Sequence, residues 1–289
     1  MKNQRKQRLL YIFFDFLAAM AAWVVFFLFR KIYIEPQAFG ADVPITFGPR
    51  FWIGAIGLPI AWILLYYFSG FYKDMFRRSR LDDFIQTLLS TLLGVVIIFF
   101  LLILDDIIQN YTNYYSLAVT LFLLQFIFVL IPRMILTSRM VAKVHKREIG
   151  FRTVMIGSNE NAVDVYLDIV NQQRSNGYEI LGFINVQWKE HYQLQDHLIH
   201  LGGCENMEAI LMEQQVEEVI IALEPTEHGK IGDIVNRLSM FEIKISAIPS
   251  ITDILTGKVK STTIFGTPLL EVNQDVMPTW QQNVKQVMD

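Results

Sequence analysis

The sequence predicts two units in one chain of 289 residues: an all-α bundle of four transmembrane helices, then an α/β domain built on a parallel sheet. Three observations predict it. Hydrophobic residues make up 53% and charged residues only 18%, greasier than an ordinary soluble domain. Charge is divided unevenly. Residues 1–150 carry 16 Lys and Arg against 9 Asp and Glu, and residues 151–289 carry 9 against 19, for a formal net charge of −3. Near Arg152 the texture changes from long apolar runs to short β-rich runs separated by amphipathic stretches.

Four runs reach the roughly 20 residues needed to cross a bilayer core. They are Leu9–Phe29, Phe51–Gly70, Phe84–Leu104 and Thr112–Pro132, and only the first holds a charge, Asp15. The first run is too long for the core of a signal peptide and three further spans follow it, so it reads as an anchor that stays. Lys and Arg set the orientation. On one side lie Lys2, Arg5, Lys6 and Arg8; Lys73, Arg77, Arg78 and Arg80; and Arg133, Arg139, Lys143, Lys146, Arg147 and Arg152. On the other are Arg30, Lys31 and Arg50, which places both termini in the cytoplasm of a multi-pass membrane protein. Asp15, about two turns from the cytoplasmic edge, reads as reaching interfacial water or a basic neighbour, and Arg133 as pairing with lipid phosphate. The segment FYKDMFRRSR mixes Phe71, Tyr72, Met75 and Phe76 with four cations and reads as lying at the headgroups.

After a basic linker, strands and helices alternate. RTVMIG is a strand ending in Gly157, and the helix after it has Ala162, Val165, Leu167, Ile169 and Val170 in a helical pattern. YEILGFINV is a second strand, CENMEAILMEQQV a helix, EEVIIAL an apolar strand, 226–241 a helix and IKISAIP a strand. That rhythm argues right-handed crossovers and a Rossmann-like layered fold. The expected domains are 1–138 (four spans), 139–151 (basic cytoplasmic linker), 152–272 (Rossmann-like) and a tail of 273–289.

A nucleotide would sit in the loop after the first strand, where glycines permit a tight turn and a helix N-terminus offers free N–H groups. The candidate residues are Gly157, Ser158 and Asn159, for a nucleotide or nucleotide sugar. The run departs from a dinucleotide fingerprint: its second glycine is Asn159, its third Ala162, and the acidic ribose ligand is Asn185. Glu160 adds negative charge beside the phosphates. His191, Asp196, His197 and His200 have metal-compatible spacing but no convincing third ligand, so no metal site is assigned. Cys204 is the single cysteine, which excludes an intramolecular disulfide and a cysteine metal site. It reads as lying near a helix N-cap, and Glu217–Glu218 as the solvated start of a strand. A second half at net −10 excludes nucleic acid as a partner.

Taken in order, the four spans, the basic link and the stretches RTVMIGSNENA, GYEILGFIN, VEEVIIAL, KISAIPSITDIL and GTPLLEV resemble the N-terminal portion of bacterial polyprenyl glycosylphosphotransferases. Membrane-anchored nucleotide-sugar 4,6-dehydratases share the spans and a similar first domain, but the ending GTPLLEV…MPTWQQNVKQVMD is similar to the run-in to a sugar-transferase domain. Lys285-Gln286-Val287-Met288-Asp289 matches that domain's opening Lys-Arg-x-x-Asp except for Gln286. The resemblance implies transfer of sugar 1-phosphate from a nucleoside-diphosphate sugar to undecaprenyl phosphate, in exopolysaccharide or O-antigen assembly. Catalysis in that family uses an Asp-Glu pair and Mg²⁺. No Asp-Glu dipeptide occurs in these 289 residues, so no catalytic residue is assigned and the Mg²⁺ belongs to a domain outside this sequence. This chain is then expected to be the anchor and accessory portion, inactive alone. Its expected partners are the bilayer, undecaprenyl phosphate, a nucleotide sugar and further copies of itself. The alternatives are a stand-alone scaffold or nucleotide-sugar sensor, and the dehydratase portion.

Overall fold

A computed structural model describes residues 2–39, 44–73, 75, 78–103, 111–223, 229–241, 243–248 and 269–271. The tail at 273–289 and most of GTPLLEV lie outside the described residues. The chain divides into two compact units near residue 141.

The first unit is helical. Helix α1 spans Lys2–Phe29 and continues through a π-helical stretch, Arg30–Ile34, into the short α2, Glu35–Phe39. Helix α3, Pro49–Phe68, starts with proline at its first turn, where the missing N–H costs nothing. Helix α4, Arg80–Ile98, starts at a capping box. The Ser79 hydroxyl accepts the Asp82 N–H and the Asp82 carboxylate accepts the Ser79 N–H, both at 3.1 Å. A second π-helical stretch, Phe99–Ile103, follows α4. Helix α5 runs from Tyr111 to His145, past Pro132 and into the stretch read from sequence as a linker. Four of these helical segments are long and apolar enough to cross a membrane.

Burial in this unit is inside-out. Leucines and isoleucines such as Ile53, Leu89, Leu93 and Leu101 are exposed, whereas Asp15, Asp83, Thr87, Gln125, Arg133 and Thr137 are buried. Tight helix contacts depend on small residues. A Cβ on Gly94 of α4 would stand 2.1 Å from the Trp62 ring of α3, so only glycine lets that ring lie against the helix. The FYKDMFRRSR segment departs from the headgroup reading: Phe71, Tyr72 and Met75 are buried in the helical core while Lys73 is exposed.

The second unit is a doubly wound α/β domain. Five parallel strands lie in the order β3-β2-β1-β4-β5: β1 Phe151–Ile156, β2 Tyr178–Asn185, β3 His200–Gly203, β4 Glu218–Ile221 and β5 Lys244–Ala247. A two-residue β6, Leu270–Glu271, pairs antiparallel with β5. Residue alternation assigns the two faces. Val154, Ile156, Ile184, Val219 and Ile221 pack with α7 (Met207–Glu213) and α8 (Ile231–Leu238). Met155, Phe183 and Ile220 pack with α6 (Glu160–Asn171) through Ala162, Val165 and Ile169. Strands buried on both faces read as continuous apolar runs, which is why β1 and β4 stand out in the sequence. Glu218 departs from the expected solvated start: it is 1% exposed, and Ser246 on β5 donates to its Oε1 at 3.1 Å.

Candidate functional sites

Strand β1 lies where the strand order reverses, with β2 on one side and β4 on the other, the usual position of a ligand crevice in an open α/β sheet. The β1–α6 turn carries Gly157, Ser158 and Asn159 together at that edge. Gly157 has φ +107°, and a Cβ there would meet the Ala222 carbonyl oxygen at 2.0 Å, so glycine is required for the turn to pass the end of β4. Its N–H donates to the Ile184 carbonyl at 2.9 Å. Asn159 caps α6, its Oδ1 accepting the Ala162 N–H at 2.7 Å. Ser158 Oγ accepts the Leu194 N–H at 3.1 Å, and Leu194 is fully buried beside Met155 and Ala162. At the end of β2, Asn185 donates to the Gln187 carbonyl at 3.0 Å and pairs through Oδ1 with His200 Nε2 at 2.9 Å. The predicted residues therefore converge, but each is engaged by its own chain. Glu160 in the first turn of α6 further lowers the attraction of that helix end for a phosphate.

The histidines do not converge. His191 lies 3.8 Å from Asp196 at an exposed position, His197 packs against Tyr166, and His200 turns to Asn185. Among the described residues no three His, Cys, Asp or Glu side chains are grouped to hold a metal. Cys204 is half-buried, and burial pushes its thiol up, against the opposing influence of Arg237. Arg237 grips Glu208 bidentately at 2.6 and 2.7 Å and donates to the Cys204 carbonyl at 2.9 Å. Those hydrogen bonds hold the Glu208 carboxyl below the usual range. This is a structural clamp between α7 and α8.

The helical unit contains a buried polar core that the sequence reading did not assemble. It has two tiers, each drawing one residue from α1, α4 and α5. In the first, Arg133 donates to Asp15 through Nε at 2.8 Å and Nη2 at 2.7 Å, and to Thr87 through Nη1 at 3.0 Å. Tyr72 donates to the same carboxylate at 2.8 Å. The Arg133 guanidinium also lies 4.0 Å from the Tyr66 ring centroid and 3.5 Å from that of Phe71. In the second tier Thr137 donates to Asp83, and Tyr11 pairs with the Thr137 hydroxyl at 2.9 Å. Arg78 approaches Asp83 at 3.6 Å and lies 4.2 Å from the Phe71 ring centroid. Two cations and two carboxylates make the core neutral overall. Arg133 is 1% exposed, so its charge is matched by Asp15 and not by a lipid phosphate as the sequence reading held. One local signal was available: Tyr11/Asp15, Asp83/Thr87 and Arg133/Thr137 are each spaced i, i+4, one helical face apiece.

Comparison with known proteins adds the following. No curated protein matches the chain. Among solved structures, UDP-D-quinovosamine 4-dehydrogenase from Vibrio fischeri is similar over 44% of this chain and 96% of that one, at 16% identity and a TM-score of 0.33. A family model described as a CoA-binding domain matches residues 67–249, a stretch that begins at the end of α3 and takes in α4 and α5 together with β1 to β5. Since that stretch is more than half of the sequence, the chain belongs to the CoA-binding domain family.

Proposed function

We propose that this chain is the membrane anchor and accessory portion of a system that transfers sugar 1-phosphate from a nucleoside-diphosphate sugar to undecaprenyl phosphate. The helical unit sits in the inner membrane with both termini cytoplasmic, and the α/β unit serves as a scaffold beside the transferase chemistry. The observation that carries the membrane reading is the inside-out burial. Exposed leucine and isoleucine surround a neutral core of Asp15, Arg133, Asp83 and Arg78, which suits a hydrocarbon solvent and not water. The scaffold reading is supported by the crevice at the end of β1, whose polar groups are spent on Ala162 and Leu194. The transferase link is supported by the resemblance of the ordered sequence stretches. Mg²⁺, implied by that resemblance, finds no group of three ligands among the described residues and would be held elsewhere in the system. Further copies of the chain are proposed partners on the same footing.

A reporter fused after Gly150 in the intact cell is expected to be cytoplasmic; a periplasmic signal overturns the topology. Membranes from cells lacking the chain are expected to lose transfer of labelled sugar 1-phosphate from nucleoside-diphosphate sugars into the lipid fraction. Unchanged transfer refutes the accessory role. The family description favours a second reading, a nucleotide sensor. CoA and a UDP-sugar titrated against the full chain in detergent separate the two: saturable binding of either supports the sensor, and no binding at millimolar ligand supports the scaffold.

A further inference from the structure

Helices α3 and α4 enclose a groove of about 690 Å³, lined by Ala61, Trp62 and Leu65 of α3 and by Leu89, Leu93 and Ile97 of α4 among others. Two contacts tie the helices together along it. At one end Gln86 Nε2 donates to the Ser69 carbonyl at 2.8 Å. Further in, the Trp62 ring lies on Gly94, where a Cβ would stand 2.1 Å away. The donors at the Ser69 end turn to the chain itself, since Ser69 Oγ also donates to the Leu65 carbonyl at 2.8 Å. Beyond them the lining is apolar apart from Ser90.

Length, polarity and floor together define what fits. The groove is continuous with the surface that faces the bilayer: Leu89, Leu93 and Ile97, one turn apart on α4, are exposed and form one wall. From Gln86 to Ile98 the helix rises about 18 Å at about 1.5 Å per residue. A hydrocarbon core is about 30 Å thick, so the groove is about one leaflet deep. On the membrane reading above, on which this inference rests, its Ser69 end lies at the cytoplasmic edge and its Ile98 end near the midplane. One leaflet is the reach of one phospholipid acyl chain. Such a chain needs no hydrogen-bonding partner, and the groove offers almost none. A transmembrane helix fits less well. Close helix approach uses small residues, and of Ser90 and Gly94, spaced for that purpose on α4, Gly94 is already covered by Trp62.

We propose that the α3–α4 groove holds one acyl chain of a phospholipid from the cytoplasmic leaflet, recognised by its hydrocarbon and not by its headgroup. The chain completes the packing between the two helices, with Trp62 beside it and Ala61, exposed on α3, at its flank. Trp52, exposed near the opposite end of α3, meets bulk lipid.

The test uses phosphatidylcholine brominated on its acyl chains, whose contact quenches tryptophan. Two single-tryptophan variants of the full chain keep either Trp62 or Trp52, with the other tryptophans replaced by phenylalanine. In vesicles of the brominated lipid, Trp52 is expected to be quenched. Absence of that quenching means the helices are not in lipid, and the membrane reading fails. In mild detergent, titration with the same lipid is expected to quench Trp62 to a plateau near one lipid per chain, whereas Trp52 shows no plateau. Brominated phosphatidylglycerol should give the same plateau. Ala61→Phe fills the groove from an exposed position and should weaken the saturable quenching several-fold, while Ala61→Ser leaves the groove open and should preserve it. With Trp52 quenched in vesicles, lack of a plateau at Trp62 overturns this inference alone. So does a plateau that survives Ala61→Phe, or one that appears only with the anionic headgroup.

Discussion

Replacing Asp15 with asparagine isolates the central interaction of the helical unit. The substitution keeps shape and removes one charge. One neutral acceptor oxygen then replaces two charged ones, so Arg133 loses the charge assistance of both hydrogen bonds, at 2.8 and 2.7 Å, and one of their acceptors outright, and Tyr72 competes for the oxygen that remains. The bond to Thr87 and the rings of Tyr66 and Phe71 remain around the guanidinium. Leaving one member of a buried pair uncompensated costs about 3–5 kcal/mol. A desolvated cation–π contact, which persists here, is worth about 2 kcal/mol. The expected loss therefore lies at the lower end, about 3 kcal/mol. Arg133→Met alone leaves the Asp15 charge buried and should cost a similar amount. The double variant Asp15→Asn/Arg133→Met removes both charges at once. Buried pairs replaced by apolar groups of similar volume are commonly neutral, so the double variant should lose the Arg133–Thr87 hydrogen bond, about 1 kcal/mol, and the ring contacts of the guanidinium, about 2 kcal/mol, about 3 kcal/mol in all against about 6 kcal/mol for the two single losses combined. Denaturant-driven unfolding of the full chain in mild detergent measures all four corners of the cycle. A double variant as unstable as the two single losses combined would show that Asp15 and Arg133 act independently, and the two-tier core would have to be abandoned.

Gly157→Ala forces a side chain into φ +107° and against the Ala222 carbonyl, so the α/β unit should lose about 3 kcal/mol and be cleaved faster by protease; unchanged protection would refute the turn geometry. Asn159→Ala removes the cap of α6 and should cost about 1 kcal/mol, whereas Asn159→Asp, an equally good cap, should be tolerated; thermal unfolding distinguishes them. Glu208 has its folded pKa depressed by Arg237, so its contribution is present above the unfolded carboxyl value of about 4.3 and is lost as pH falls through the folded value. The stability gap between the native chain and Glu208→Gln should therefore be open at pH 7 and close below about pH 4. A gap that widens in acid would contradict the clamp.

How much of this was legible in the sequence depended on where each residue finds its partner. The apolar helices were legible because a bilayer-length run announces itself residue by residue, and β1 and β4 because strands covered on both faces are apolar throughout. Strand β3 was not legible: His-Leu-Gly-Gly at a sheet edge has four residues and no alternation, and it becomes a strand only by pairing with Phe183–Asn185. Glu218 looked solvated because the hydroxyl that satisfies it, Ser246, arrives from a strand 28 residues away. The turn after β1 was legible, since Gly157 is demanded by local backbone geometry. That Ser158 is already occupied was invisible, because the occupying amide belongs to Leu194. Asp15 and Arg133 show the same limit most clearly. Asp15 was read as reaching interfacial water or an unspecified basic neighbour, and Arg133 as pairing with lipid phosphate, the nearest partners a linear reading can supply. Their actual partners are each other, 118 residues apart. What a single sequence does contain is the i, i+4 spacing on three separate helices. That periodicity marks polar faces too narrow to be solvent-exposed in an apolar run, and in a chain with four such runs it argues for an inward polar seam before any coordinate is known.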